Sequence, residues 1–160
     1  MSFVHLQVIS AYSLLQTTTR IEDLVRSAKT KGYQAIALTD QNVLYGQVDF
    51  FKLCKKYAIQ PILGIQLDLP VIVSKDRTFP LLLLANDFEG YKKLMPLSPV
   101  RNQDVPDKEL FSLLDDDSSR IIAITPGEKG EIESFLNGDD QQNAKAASLA
   151  WKKIFTHGNF

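Results

Sequence analysis

Length, composition and charge place this chain among ordinary globular domains and exclude several functional classes. Its 160 residues suit one domain or most of one, and 44% of them are hydrophobic and 23% charged, as in average soluble domains. The formal net charge of −1 gives no overall basic signature of nucleic-acid binding. A contact with DNA would therefore depend on a local patch or on attached domains.

Cysteine content and hydropathy predict the compartment. The single cysteine, Cys54, cannot form an internal disulfide, which is typical of a reducing environment. It lies on an apolar helical stripe, so we expect a buried, inert thiol. The N-terminus lacks the basic and apolar regions of a signal peptide, and the apolar run 81–85 is too short to cross a bilayer. We therefore expect a cytoplasmic protein that does not enter a membrane.

The first third of the chain predicts a strand, a helix and a second strand. Residues 3–10 predict the first strand, and residues 35–39 predict a buried second one. Thr19 and Glu22 have the spacing of a capping box before the helix, and Gly32 should end it. The apolar positions of this helix follow the i, i+3, i+4, i+7 pattern and are Ile21, Leu24, Val25 and Ala28.

The middle of the chain predicts a second helix followed by three strands. The helix should run over residues 44–57, and a strand over residues 61–66 should follow it. Two further strands, 71–73 and 81–84, should form a hairpin through a charged turn at residues 75–77. The side chains of the helix that are expected to be buried are Leu44, Val48, Phe51 and Cys54.

The last part predicts one strand among helices. A helix that begins near Asp87 should end or kink at Pro96, and residues 98–106 predict a loop. A strand is expected at residues 120–125, followed by a turn at residues 126–130. The other predicted helices cover residues 107–114, 131–136 and 140–155. The last helix should bury Ala144, Ala147, Trp151 and Ile154.

Short apolar strands that alternate with amphipathic helices predict an α/β fold with a largely parallel sheet or a barrel. In such folds the working residues lie on loops at the carboxyl ends of the strands. Glutamine recurs at these predicted ends, at Gln7, Gln16, Gln41 and Gln66.

The strand ends hold few residues that could bind a catalytic metal. Such a site usually needs three or more imidazole, thiolate or carboxylate ligands, and only His5 and Asp40 are strong ligands near these ends. We expect a hydrogen-bonded strand histidine for His5 and a loop or helix cap for Asp40. No nucleophile motif or glycine-rich phosphate loop is present. Composition and spacing alone leave an α/β domain of unknown task.

Five longer stretches carry a more specific signal. They are HLQVISAYSLL at 5–15, TTRIEDLVRSAKTKGYQAIALTDQNVLYGQVDFFKLCKKYAIQPILGIQLDL at 18–69, LLLLANDFEGYKKLMPLS at 81–98, DKELFSLL at 107–114 and IIAITPGEKGEIESFLNGD at 121–139. The most specific part is LTDQNVLYGQVDFFKLCKKYAIQPILG at 38–64. In order and spacing they resemble the N-terminal PHP (polymerase and histidinol phosphatase) domain of the bacterial DNA polymerase III alpha subunit. The resemblance covers nearly the whole chain and is to the type without an internal exonuclease insert.

The resemblance implies a distorted (β/α)7 barrel with a metal cluster at the carboxyl ends of its strands. At every ligand position that can be matched, this chain has a different residue. The family's ligands at these positions are two histidines, an aspartate, a histidine, a glutamate and a cysteine. The residues found in their place, in chain order, are Gln7, Ile9, Gln16, Gln41, Gln66 and Gly127.

These substitutions predict that the metal chemistry has been lost. Glutamine keeps the shape and hydrogen bonds of glutamate without its charge, whereas carboxylates that are held close without a metal repel one another. Unpaired buried charge is also costly. We therefore expect no metal ion, no cofactor, no catalytic residue and no phosphoesterase activity.

The resemblance also implies that the barrel continues beyond this chain. Residues 1–160 are therefore expected to be a PHP domain fragment, an incomplete barrel of the α/β class. The family's last metal motif, Asp-x-His, and the polymerase carboxylates would lie after Phe160. An incomplete barrel leaves an open sheet edge, which predicts a dimer or domain swap of the fragment.

Three functions stay open at this point. The first is an inactive scaffold for the remainder of the alpha subunit, a DNA-directed DNA polymerase (a nucleotidyltransferase of DNA replication). The second is a metal-dependent PHP phosphoesterase, against which the missing ligands argue. The third is a protein-binding module that uses the emptied groove, with an accessory exonuclease or clamp subunit of the replisome as its partner.

DNA contact by the parent protein could involve basic residues of this chain. A solvated helix face that keeps the protein soluble explains these residues better. The candidates are Lys52, Lys55, Lys56, Lys92, Lys93 and Arg101.

Overall fold

The computed structural model describes residues 3–70, 77–101, 106–115, 118–155 and 158–160. Within these ranges the chain forms four strands and seven α-helices. The strands are β1 (Ala35–Leu38), β2 (Gln60–Pro70), β3 (Thr78–Ala85) and β4 (Ile121–Ile124). The helices are α1 (Ile21–Thr30), α2 (Gln47–Lys56), α3 (Phe88–Leu94), α4 (Leu97–Arg101), α5 (Asp107–Asp115), α6 (Glu131–Asn137) and α7 (Gln141–Ile154). No described helix is long and apolar enough to cross a membrane.

The described strands form one mixed sheet in the order β1-β2-β3-β4. β1 runs parallel to β2, with Leu38 opposite Leu63, whereas β2 and β3, and β3 and β4, are antiparallel. The expected α/β class is confirmed, but the expectation of a largely parallel sheet is wrong for these strands. The reason is that β2 and β3 follow each other without a helix, and neighbouring strands joined directly pair antiparallel.

Two apolar cores lie against this sheet. The larger joins one face of β2 and β3 to α4, α5 and α7, and Leu67, Leu83 and Trp151 are among its buried members. The smaller packs side chains of α1 and α2 with those of β1 and includes Val25, Leu38 and Phe50. On β2, alternate residues from Ile65 to Leu69 are buried, which turns Gln66 and Asp68 toward the opposite face.

The predicted strand at residues 3–10 is wrong as a strand, although the segment does lie beside β1. The amide of Ala37 donates to the carbonyl of His5 (3.0 Å), and that of Thr39 donates to Val8 (2.7 Å). The Thr39 hydroxyl accepts from the Val8 amide (2.9 Å) and donates to the Val8 carbonyl (3.0 Å). The Thr39 hydroxyl thus makes a hydrogen bond that a backbone group would make in a sheet, and no regular strand pairing forms.

The two helices beside β1 differ in detail from prediction. The capping box at Thr19 is wrong, because Arg20 is the N-cap of α1 and no side chain caps it. On α2 the predicted buried face is wrong for two residues, since Val48 is 57% and Phe51 43% exposed. The buried stripe is Gln47, Phe50 and Cys54, because α2 begins at Gln47 and turns that amide inward.

The remaining elements agree with prediction except in three places. β2 runs to Pro70, so Gln66 lies inside it and not at its end. α4 occupies the first part of the predicted loop 98–106, and Ile154 is only partly buried. The predicted strand 71–73 and the loop residues 102–105 lie outside the described residues.

Candidate functional site

The candidate site lies where β1 ends and β2 runs on beside it. Beyond Leu38 the pairing continues through the amide of Gln66, which donates to the Asp40 carbonyl (3.1 Å), and the amide of Asn42, which donates to the Gln66 carbonyl (2.8 Å). Gln41 and Gln66 therefore form an isolated parallel bridge. The backbone pairing thus brings together two of the positions at which glutamine replaces a ligand of the family.

A third predicted position joins them from the N-terminal segment. The side-chain amide of Gln7 donates from Nε2 to Oε1 of Gln66 over 2.8 Å. The hydrogen bond in this exposed pair ties together residues that are 59 positions apart in the sequence. Both side chains are neutral, so no counter-charge is required to hold them together.

A second group of amides surrounds Asp68. Its Oδ2 accepts from Nε2 of Gln41 (2.6 Å) and from Nδ2 of Asn42 (2.8 Å). The Asp68 backbone amide in turn donates to Oδ1 of Asn42 (2.9 Å). One carboxylate oxygen of this part-buried residue is thus already supplied with two donors. Charge-assisted hydrogen bonds of this kind are stronger than those between neutral groups.

Asp40 is a buried carboxylate that fixes the loop before α1. It is 1% exposed, and its Oδ1 accepts from the Ser10 amide (2.6 Å) and the Ser13 hydroxyl (2.7 Å). Its Oδ2 accepts from the Ser10 hydroxyl (2.7 Å), and the Ser13 hydroxyl accepts from the Gln41 amide (3.0 Å). Asp40 therefore acts as the predicted loop cap, and the loop whose donors it accepts is the turn at residues 10–13.

The other predicted site residues are not joined to this group by any hydrogen bond in the described ranges. Ile9 is partly buried, and Gln16 is exposed and uses its backbone amide in a turn to Ser13 (3.2 Å). Gly127 lies in the turn after β4, with a positive φ of 69°. His5 contacts Tyr33, with 3.1 Å between His5 Nε2 and the Tyr33 hydroxyl, as expected for a hydrogen-bonded histidine.

The donor set does not fit a metal cluster. No group of three His, Cys, Asp or Glu side chains converges anywhere in the described part of the chain. Amide oxygens are neutral and poor ligands for zinc, iron or manganese. The oxygens of Gln66 and Asp68 nearest the site already accept hydrogen bonds from side-chain amides. The site is therefore a hydrogen-bonded surface of amides beside two carboxylates.

Sequence analysis missed residues that build the site. Ser13 was not singled out, although serine beside a strand end is a common turn-forming residue. Gln47 was missed because the predicted buried stripe of α2 ran through Val48 and Phe51, whereas the actual stripe begins at Gln47. Its Nε2 donates to the carbonyls of Leu38 (2.9 Å) and Gly64 (2.8 Å) and so holds β1 and β2 against α2.

Family comparison agrees with this architecture. The model of the PHP domain family matches residues 5–160. The chain therefore belongs to the PHP domain family. It is 42% identical over 160 residues to the DNA polymerase III subunit alpha of Bacillus subtilis, and 40% identical over 171 aligned positions to that of Treponema pallidum. Each alignment includes the whole of this chain, which spans 14% and 15% of the two proteins.

Among solved structures, similarity extends to an amidohydrolase from Chromobacterium violaceum. The TM-score is 0.46 and the sequence identity is 14%. The match covers 72% of this chain and 37% of that one.

Proposed function

We propose that this chain is the PHP module of a DNA polymerase III alpha subunit and that it acts as a metal-free structural scaffold. The observation that carries the proposal is the pair of amide contacts, Gln7 to Gln66 and Gln41 to Asp68. They occupy positions at which the family resemblance implies metal ligands. Hydrogen bonds between side chains would then do the structural work that metal coordination does elsewhere.

Electrostatics supports a metal-free site. A dense cluster of carboxylates needs cations to offset its repulsion, whereas amides donate and accept hydrogen bonds among themselves. Here Gln7, Gln41 and Gln66 add no charge to a region that already contains Asp40 and Asp68. The same donor set disfavours a metal-dependent phosphoesterase, since no three His, Cys, Asp or Glu side chains come together among the described residues.

The proposal extends to the parent protein. The remainder of the alpha subunit would be the partner, the DNA-directed polymerase reaction would belong to that remainder, and the setting would be the cytoplasm. In this view residues 1–160 are part of a distorted (β/α)7 barrel, and a dimer of the fragment would form through its open edge. Light scattering over a range of concentrations tests the dimer, and a monomer throughout would contradict it.

A metal-binding assay tests the central claim. The chain is equilibrated with manganese or zinc, separated from free metal, and its metal content is measured by inductively coupled plasma mass spectrometry. The matched variant carries Gln7→His, Ile9→His, Gln41→His and Gln66→Glu, which restores the family's ligand types at four of the six altered positions. We expect the natural chain to retain no stoichiometric metal and the variant to retain more. Two or three tightly held ions on the natural chain would overturn the proposal.

A second assay tests the scaffold role in the longer polymerase. Gln66→Leu removes the acceptor for Gln7, and Gln142→Leu on the exposed face of α7 serves as the control. We expect Gln66→Leu to lower the melting temperature and the yield of active polymerase together, with unchanged activity per folded molecule. A fall in activity per folded molecule without a change in stability would contradict a purely structural role.

A further inference from the structure

An apolar groove lies between α2 and α3, away from the amide site. Its walls are Val48, Phe51, Leu63, Phe88 and Tyr91, with Lys52 at the rim, and it encloses about 310 Å³. We call it the α2–α3 groove. Because both helices contribute walls, residues 37 to 43 positions apart in the sequence form one surface.

Three of the wall residues are far more exposed than core residues of their type, whereas Tyr91 is buried. Phe88 is 65% exposed, Val48 57% and Phe51 43%. Contiguous exposed apolar surface of this kind marks interaction sites more often than single scattered residues do. The sequence predicted that Val48 and Phe51 are buried. Their apolar side chains would be buried if another segment covered the groove, and no described residue covers them.

Positive charge surrounds the groove. α2 contains three lysines and one aspartate, and α3 contains two lysines and one glutamate. The ammonium of Lys55 lies 5.4 Å from the centre of the Phe51 ring, and that of Lys92 lies 5.0 Å from the centre of the Phe88 ring. Lys92 also contacts Glu89 (2.9 Å), but this exposed pair contributes little on its own.

We propose that the α2–α3 groove is a docking site for an acidic amphipathic segment of a separate protein. Apolar side chains of the segment would enter the groove, and its carboxylates would face Lys52, Lys55 and Lys92. Helices that bind in grooves use this arrangement of apolar anchors flanked by charges. The apolar lining of the groove matches the apolar face of such a segment, and the lysines around it match the segment's carboxylates.

The shape and the apolar lining of the groove, and not its lysines, favour a peptide over single-stranded nucleic acid as the occupant, since lysines suit phosphates as well as carboxylates. Nucleic-acid strands bind such surfaces by stacking bases on open aromatic faces. The faces of Phe51 and Phe88 are approached by lysine ammonium groups, and the groove between them is concave and apolar. Gln47 also lines the groove, but the inference uses none of the contacts among Gln7, Gln41, Gln66 and Asp68. Its test can therefore fail without the proposed function failing, and the reverse.

Fluorescence anisotropy with synthetic probes tests the inference on the 160-residue chain. The probe is a labelled helical peptide with leucine and phenylalanine on one face and glutamate on the other. The comparison probes are a scrambled peptide of the same composition, the same helix with lysine in place of glutamate, and an oligothymidylate. We expect the acidic amphipathic peptide to bind at least about tenfold more tightly than the others, and to weaken as salt rises.

Surface variants locate the binding. Phe88→Ser should weaken binding of the acidic peptide about tenfold, as expected for an aromatic anchor. Lys92→Glu should weaken it too, and the lysine version of the peptide should regain affinity for this variant. Leu149→Ser, at an apolar position on α7 that is 52% exposed against 65% for Phe88, should change binding less than twofold.

Three outcomes would overturn the inference. They are equal binding of the scrambled and amphipathic peptides, binding that Phe88→Ser leaves unchanged, and preferred binding of the oligothymidylate. Circular dichroism of each variant confirms that it is folded, and the exchanged charges of Lys92→Glu and the lysine peptide give a readout that misfolding would not produce.

Discussion

Replacing Asp40 by alanine should destabilise the fold by about 3–5 kcal/mol, because it removes the only described acceptor for three buried donors. Those donors are the Ser10 amide, the Ser10 hydroxyl and the Ser13 hydroxyl. Ser10 is fully buried and Ser13 is 2% exposed, so water cannot replace the carboxylate without a rearrangement. The 10–13 turn would keep its bond from the Gln41 amide to the Ser13 hydroxyl but would lose its contacts with the Asp40 carboxylate.

The magnitude follows from the individual bonds. A buried donor left without an acceptor costs about 1–3 kcal/mol, and three of them would cost up to about 9 kcal/mol if nothing relaxed. Both hydroxyls can rotate, and the space left by the carboxyl group can admit water, so the lower half of that range is expected. Asp40→Asn keeps one oxygen at the position of Oδ1 and loses only the charge and one acceptor. We expect it to cost about 1–2 kcal/mol.

Urea unfolding followed by circular dichroism measures both variants, and Ser13→Ala completes a double-mutant cycle with Asp40→Ala. The cycle should show a coupling of about 1 kcal/mol or more, because the two side chains share a buried hydrogen bond of 2.7 Å. If Asp40→Ala unfolds the protein, Asp40→Asn still gives a measurable value. A loss below about 1 kcal/mol for Asp40→Ala, or equal losses for both variants, would refute the reasoning.

The remaining predictions concern one buried amide, the thiol and one helix cap. Gln47→Leu should lower stability by about 1–3 kcal/mol in thermal unfolding, because the carbonyls of Leu38 and Gly64 lose their donor. Gln47→Glu should cost more at neutral pH, since a carboxylate would face both carbonyls. Burial raises the pKa of the Cys54 thiol to about 12, so alkylation at pH 8 should occur only through unfolding and should accelerate in urea. A modification rate that is independent of urea would contradict this. The hydrogen bond from the Gly90 amide, helped by Arg120, holds the pKa of Asp87 below its usual value. The stability that Asp87 provides should therefore be present above about pH 4 and fade as the pH falls through the lower folded-state pKa. Urea unfolding of Asp87→Ala and the natural chain should accordingly converge in strong acid, and a constant difference down to pH 2 would contradict the assignment.

Local periodicity was enough to locate most of the regular elements. α1, α3, α5, α6 and α7 lie close to their predicted positions because apolar residues at helical spacing must share one buried side. The apolar run at β3 was equally clear. Prediction failed where a polar side chain serves the interior, as with Gln47 on α2 and Thr39 beside residue 8. A pattern of apolar residues carries no information about which amide or hydroxyl will be turned inward.

The site was predicted in part. The glutamines at positions 7, 41 and 66 were identified as a group, and hydrogen bonds or backbone pairing bring those three together. Ile9, Gln16 and Gly127 were placed with them through the resemblance, and no described hydrogen bond joins them to the group. Asp68 became central only through its contacts with Gln41 and Asn42, because the course of β2 beyond the end of β1 decides which side chains meet.

The sequence by itself determined that positions 7, 41 and 66 carry no charge, since glutamine is neutral in any fold, although the carboxyl groups of Asp40 and Asp68 lie beside them. It also determined where most helices form, because helical spacing is a local property. Tertiary structure alone decided which amide contacts which carboxylate, that Asp40 is buried among serine donors, and that Val48, Phe51 and Phe88 share an open groove. These features depend on strand register and on the packing of elements that are distant in the chain, and the free energy of such contacts is set only when those elements meet.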